Sequence, residues 1–211
     1  MPRTKPDIAV LTGDLVASTS LTPDQLARAM ATLERCAETQ AAWHGADLRF
    51  ARHRGDGWQV ALARPALALR SALAFRAALK AADDRFDSYI AIALGAADLQ
   101  DGNSLNTRND PVFVASGRAL DRLKDRQTQR IAHASGGALN AATILADHLS
   151  QGWTAAQAQA ILPSLAPDAD ITLTGIAQGL GKSRQTVTKS LHAAGWDALD
   201  PALTALEAAH G

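Results

Sequence analysis

The hydrophobic pattern of this chain changes character once, at Ser135-Gly136-Gly137. Before that break, segments with apolar residues at every second position alternate with segments of helical period; after it only the helical period survives. Such a chain must fold as an α+β part followed by an all-helical part, and the break divides it into two predicted domains, residues 1–135 and 136–211.

In the first part Asp7 to Leu11 reads as a buried strand ending at Thr12-Gly13-Asp14. Thr22, Pro23 and Gln25 form a capping box that opens a helix running through Trp43 and stopping at Gly45. Leu48 to Arg54 and Trp58 to Ala63 alternate as strands about a Gly55-Asp56-Gly57 hairpin turn. Pro65 to Ala81 is an amphipathic helix with Arg70, Arg76 and Lys80 on its polar side, and Tyr89 to Leu94 is a further strand. A polar loop from Gln100 to Asp110, a helix from Val112 to Leu123 and a short strand within Gln129 to Ala134 complete this part. Strand, helix, strand, strand, helix, strand is the split βαβ order of a ferredoxin-like sandwich. Five short helices are predicted beyond it: Ala138 to Leu149, Thr154 to Leu165, Leu173 to Leu180, Ser183 to Ala194 and Leu199 to Ala209.

Composition limits the function classes. Lys+Arg and Asp+Glu balance at 21 each, so affinity for a polyanion has to come from a local patch. Aromatic residues supply only 4% of the chain, which favours helices packed closely through alanine. The lone Cys36, read as a half-buried packing residue, excludes an intramolecular disulfide and a multi-thiolate zinc site. The six histidines are dispersed, none is spaced for a zinc helix, and His53 reads as a surface residue. No signal-peptide core or membrane-length apolar run is present, so a cytoplasmic location without membrane attachment is the expectation.

The segment LTGIAQGLGKSRQTVTKSL carries the strongest functional signal. Ile176 and Leu180 anchor a first helix, Ala177 is small where a second helix must cross, and Gly181 suits a left-handed turn. Ser183 caps the second helix, whose inner face is Val187 and Leu191. Its outer face offers Arg184, Gln185, Thr186, Thr188, Lys189 and His192, with Lys182 just before it. Arginine pairs with guanine, glutamine with adenine, and threonine with a thymine methyl or a phosphate. From Ile171 to Trp196 the cations Lys182, Arg184 and Lys189 face no acid. This is the pattern of a DNA-binding helix-turn-helix, flanked by Trp153 and Trp196 as core residues. With so few cations, a homodimer reading two half-sites is expected.

Asp14 follows the first strand and Asp56 lies at the hairpin tip, so their carboxylates converge at one sheet end if the strands are neighbours. With the Leu15 backbone carbonyl, such a pair would suit Mg²⁺ carrying a nucleoside triphosphate. A plain hairpin turn and a strand-end cap explain the same residues equally well.

IAVLTGDLVAST resembles the first-strand motif of class III nucleotidyl cyclases, RHRGDGWQVAL their metal-binding hairpin, and VASGRALDRL the helix that follows. Over nearly its whole length the chain is similar to the SatD-like family of bacterial proteins, in which a cyclase-like domain precedes a C-terminal helix-turn-helix. The resemblance implies metal-binding roles for Asp14 and Asp56. Arg52 stands where cyclases often keep a base-selecting lysine, and Arg122 is an imperfectly placed cation that would contact a nucleotide. The chain departs from the cyclases at Asp121 and Asp125, which replace an asparagine and a transition-state arginine. An acid cannot stabilise a transferring phosphoryl group.

The expected function is a sequence-specific, DNA-binding transcriptional regulator. Its first domain, catalytically degenerate, senses a ligand such as a nucleotide or forms the dimer. The alternative is a Mg²⁺-dependent nucleotide cyclase or nucleotidyltransferase with a regulatory DNA-binding tail.

Overall fold

The computed structural model describes residues 5–53, 55–99, 104–126, 128–167 and 171–210. Arg54 and the first residues of the Gln100 to Asp110 loop lie outside them. The chain is a mixed α+β protein whose elements run in the order β1 (Asp7–Leu15), α1 (Pro23–His44), β2 (Arg49–His53), β3 (Gly57–Leu62), α2 (Ala68–Ala82), β4 (Ser88–Ala96), α3 (Pro111–Lys124) and β5 (Ile131–His133). Helices α4 (Gly137–Gln151), α5 (Ala155–Ser164), α6 (Leu173–Leu180), α7 (Arg184–Ala193) and α8 (Trp196–His210) follow.

Local chemistry accounts for the helix boundaries. Thr22 Oγ1 accepts the Gln25 backbone N–H while Gln25 Oε1 accepts that of Thr22, so two donors left over at the start of α1 are satisfied reciprocally. Thr154 and Gln157 repeat the device at α5.

The five strands lie in the order β2-β3-β1-β4-β5, with β1 antiparallel to both β3 and β4, β2 antiparallel to β3, and β5 parallel to β4. Alternation along β1 sorts its residues between two faces. Ala9, Leu11 and Leu15 join Trp58, Val60, Phe75 and Ile92 in the larger core, under α1 and α2. Ile8 and Val10 pack with Val112 and Phe113 of α3 on the other face. Both faces are therefore covered by helix, which is why β1 is buried almost end to end.

One expectation is corrected here. Arg70, Arg76 and Lys80 do lie along one side of α2, but that side is not solvated: their exposures are 4%, 0% and 8%. Helices α4 and α5 pack over it, α8 reaches it through Glu207, and the alanine-rich surface of α2 lets them approach. Each cation finds a partner. Arg70 makes two hydrogen bonds to the Glu207 carboxylate, at 2.6 and 3.1 Å. Arg76 bonds Asp147 Oδ1 at 2.7 Å and Asp87 Oδ1 at 3.1 Å, and Lys80 donates to the Gln151 carbonyl at 2.9 Å. Burial would raise the Asp87 carboxyl, but Arg76, Lys80 and Arg130 outweigh it and hold that group below its usual range. A single apolar cluster runs through both parts of the chain, from Leu11 and Trp58 to Ile161, Val187 and Leu199. Cys36 is likewise more deeply placed than expected, 7% exposed, and burial pushes its thiol up to about 12.

Two buried histidines set the pH response of this fold. His44 Nδ1 accepts the Arg64 backbone N–H and its Nε2 faces Ser71 Oγ; His133 Nδ1 accepts the Ser135 N–H. Protonating either Nδ1 breaks a bond in a desolvated place. Burial, then the nearby Arg64 charge, lowers His44 to about 4, and burial, then His210, lowers His133 to about 4. The unfolded chain takes up these protons near pH ~6.5 and the folded one does not. Their contribution to stability is complete above that pH and is lost as pH falls towards 4, at up to about 1.4 kcal/mol per pH unit per histidine. Urea titrations at stepped pH should show this slope, and His44→Gln should remove about half of it. A flat profile between pH 7 and 4.5 would contradict the assignment.

Candidate functional site

The segment singled out in the sequence folds as two short helices joined by a tight turn. Thr172 caps α6 by accepting the Gly175 N–H at 3.1 Å, and Gly181 ends it in the left-handed region at φ 61°. Gly181 N–H then bonds the Gln178 carbonyl and Lys182 N–H that of Ala177, at 3.1 and 2.9 Å. This six-to-one and five-to-two closure reverses the chain within two residues. Ser183 Oγ accepts the Thr186 N–H at 3.1 Å and starts α7.

Burial divides α7 cleanly. Val187 and Leu191 are 0% and 6% exposed and meet Ile176 and Ala177 of α6, at 5% and 4%. Arg184, Gln185, Thr186, Thr188, Lys189 and His192 are exposed. Thr188 Oγ1 turns back to the Arg184 carbonyl at 3.0 Å, so it offers its methyl outward more readily than its hydroxyl. Lys182 is half-buried and donates to Gln159 Oε1 of α5 at 3.1 Å, and Ser183 is committed to its cap. His192 Nδ1 lies 2.6 Å from Asp197 Oδ2, which brings a carboxylate to the far end of the helix. Trp153, 4% exposed, donates its indole N–H to the Ala194 carbonyl at 2.9 Å and fixes the end of α7. The cationic, acid-free stretch is thus the first two turns of α7.

At the other candidate site, Leu15 N–H donates to the Asp56 carbonyl at 3.2 Å, so Asp14 and Asp56 share one end of the sheet. Asp14 projects from the α3 face of β1, where Lys124 of α3 forms an ion pair with its carboxylate. Asp56 accepts a hydrogen bond from Ser18 Oγ. Lys124 was not singled out in the sequence, although a cation in the last turn of a helix crossing that face was the available signal. The residues do not fit a divalent metal in this arrangement. A lysine ammonium holds one carboxylate, and no cluster of three acidic, histidine or cysteine ligands exists among the described residues.

The two cations expected to contact a nucleotide lie elsewhere. Arg52 points to the α1 face of the sheet, opposite Asp14, and makes a two-point pair with Glu34 at 2.9 and 3.0 Å. Arg122 is exposed and borders a depression of about 60 Å³ with Arg126, His133 and Asn140. Asp121 and Asp125 are exposed on α3. His53 is at the surface, as expected. No helix of the described residues is long and apolar enough to cross a membrane. Compared with known proteins, the chain matches no family model and no curated protein.

Proposed function

We propose that the chain is a sequence-specific DNA-binding regulator in which α6, the Gly181 turn and α7 form a helix-turn-helix and α7 is the recognition helix. The observation that carries this reading is the division of α7. Its inner side is sealed by Val187 and Leu191, while Arg184, Gln185, Thr186 and Lys189 stand exposed with no acid among them. The first turn of a recognition helix is where base edges are read. The strand order β2-β3-β1-β4, antiparallel throughout, supports the ferredoxin-like reading of the first part, and Lys124 on Asp14 supports its catalytic degeneracy. That part then acts as a ligand sensor or a dimeriser. A pair of chains suits the small number of cations, and α4 offers it an uncharged stripe in Ile144, Leu145 and Leu149, which are 39%, 68% and 41% exposed.

The test starts from DNA fragments selected on the full-length protein. Arg184→Ala and Gln185→Ala are each expected to weaken binding to the selected site about tenfold, the loss of one bidentate base contact, and to flatten the preference at one base position. Lys189→Ala should lower affinity for all sequences alike and reduce the salt slope by about one. Unchanged selectivity in the Arg184 and Gln185 variants, with α7 still folded, would sink the reading.

The second reading, a Mg²⁺-dependent nucleotide cyclase or nucleotidyltransferase, draws on the Leu15 to Asp56 hydrogen bond that sets the two acids together. It requires Lys124 to leave Asp14. Turnover of a nucleoside triphosphate with Mg²⁺ or Mn²⁺, lost in Asp56→Ala, would establish it; no turnover is the expected result.

A further inference from the structure

Helix α1, the C-terminal end of α2, the end of α5 and the residues Ala166 and Ile171 beyond it line an open cleft of about 640 Å³. Small-molecule sites commonly span about 300–1,000 Å³ and combine apolar walls with a few polar groups. The walls here include Cys36, Trp43, Ala78, Leu162 and Pro163. Four polar side chains, Thr32, Arg35, Thr39 and Gln40, interrupt them.

Gln40 is wholly buried, at 0% exposure, and borders the cleft. Its Nε2 donates to Cys36 Sγ at 3.2 Å, and its Oε1 has no hydrogen-bond partner among the described residues. An unsatisfied carbonyl oxygen inside an apolar wall is unfavourable for an empty cleft and becomes favourable once a donor arrives. At the rim stands Arg35, exposed, whose guanidinium reaches Thr32 Oγ1 at 3.2 Å and makes no ion pair among the described residues. An arginine fork that pairs with no carboxylate of the described residues, beside an apolar cleft, is suited to an anionic head group. The neighbouring Cys36 thiol is kept neutral by burial, so it adds no charge to oppose that anion.

We propose that this cleft binds a small apolar molecule bearing an anionic head group, which pairs with Arg35, and an N–H or O–H donor, which Gln40 Oε1 accepts. The site lies away from the acids at the sheet end, and its chemistry is that of an amphipathic organic acid. Helix α5, whose Leu162 and Pro163 line the cleft, carries Gln159 on another side, where it holds Lys182 at the start of the proposed recognition helix.

Anilinonaphthalenesulfonate has all three features: apolar rings, a sulfonate and an aryl N–H. Titrated into the full-length protein without DNA, it should give saturable fluorescence enhancement at one site per chain. Arg35→Ala should weaken it about tenfold, the loss of a charge-assisted contact. Gln40→Met, similar in volume but without the acceptor, should weaken it as well. Thr39→Trp and Ala81→Trp, which fill the cleft from its exposed α1 edge and its half-buried α2 edge, should abolish it while circular dichroism and the melting temperature are retained. Non-saturable uptake, or equal binding in both filled variants, overturns the proposal. Since no DNA is present, that failure leaves the nucleic-acid reading untouched, and loss of selective DNA binding leaves this one untouched.

Discussion

Replacing Asp147 by alanine is expected to remove about 3–5 kcal/mol of folding stability, the largest single effect in the chain. Asp147 is 1% exposed and its carboxylate accepts from four donors. Arg76 Nη1 reaches it at 2.7 Å, the Arg130 and Ile131 backbone N–H groups at 3.0 and 3.1 Å, and Gln151 Nε2 at 2.9 Å. Without it Arg76, fully buried and already carrying an unpartnered Nη2, keeps its charge with Asp87 alone to balance three cations. Two N–H groups at the entry to β5 lose their acceptor at the same time. Domains of ordinary size are stable by only about 5–15 kcal/mol, so the variant should melt far below the parent in calorimetry. Asp147→Asn, which keeps an acceptor and drops the charge, should fall between the two. In the double variant with Arg76→Met the loss should be smaller than the sum of the single losses, because the stranded charge is gone. A loss below about 1 kcal/mol in Asp147→Ala would mean that the network is not the clamp its geometry describes.

Gly13→Ala is the second, and its cause is steric. Gly13 faces Trp58 across the β1–β3 pair, and a Cβ there would overlap Cε2 and Cζ2 of the indole. The ring has no room to retreat. It is 0% exposed, lies 4.9 Å from the Phe75 ring, and donates Nε1–H to Ser88 Oγ at 3.0 Å. Overpacking of this kind commonly costs about 1–3 kcal/mol, and the rigidity of the indole puts this case at the upper end. Trp58→Leu should be strongly destabilising alone and yet relieve most of the added cost of Gly13→Ala. Chemical denaturation of the four proteins gives the coupling directly, and additivity would refute the steric cause.

These residues also mark the limit of what the sequence made legible. The capping boxes at Thr22 and Thr154 and the Gly181 turn depend on neighbours three to five residues apart, so spacing alone predicts them. The order of strands followed from the same kind of short-range pattern. The fate of α2 did not. Arg70, Arg76 and Lys80 at helical spacing look like a solvated stripe unless Glu207, Asp147 and Asp87 are known to meet them, across separations as long as 137 residues. The Gly-Asp pair ending β1 was read for its acid, and the structure gives each residue a packing partner instead: Trp58 for Gly13 and Lys124 for Asp14. Arg52 is a candidate through the cyclase resemblance, at the place of a base-selecting lysine, and strand parity turns it to the face opposite Asp14. The outward face of α7 was legible because amphipathic period and burial coincide there.

The sandwiching of α2 has a consequence for how portable the C-terminal helices are. A helical unit that hangs on a linker can be grafted elsewhere. Here a fragment beginning at Gly136 would leave Asp147 and Glu207 without their arginines and bare the surface with which Ile161 and Leu199 meet the rest of the core. It would also strip α2 of the cover that keeps Arg76 dry. The exposed end of α7 is therefore presented by a rigid body rather than a tethered one. Under the proposed reading, the separation and angle between the α7 helices of two chains would be set by how whole chains associate, not by the slack of a hinge.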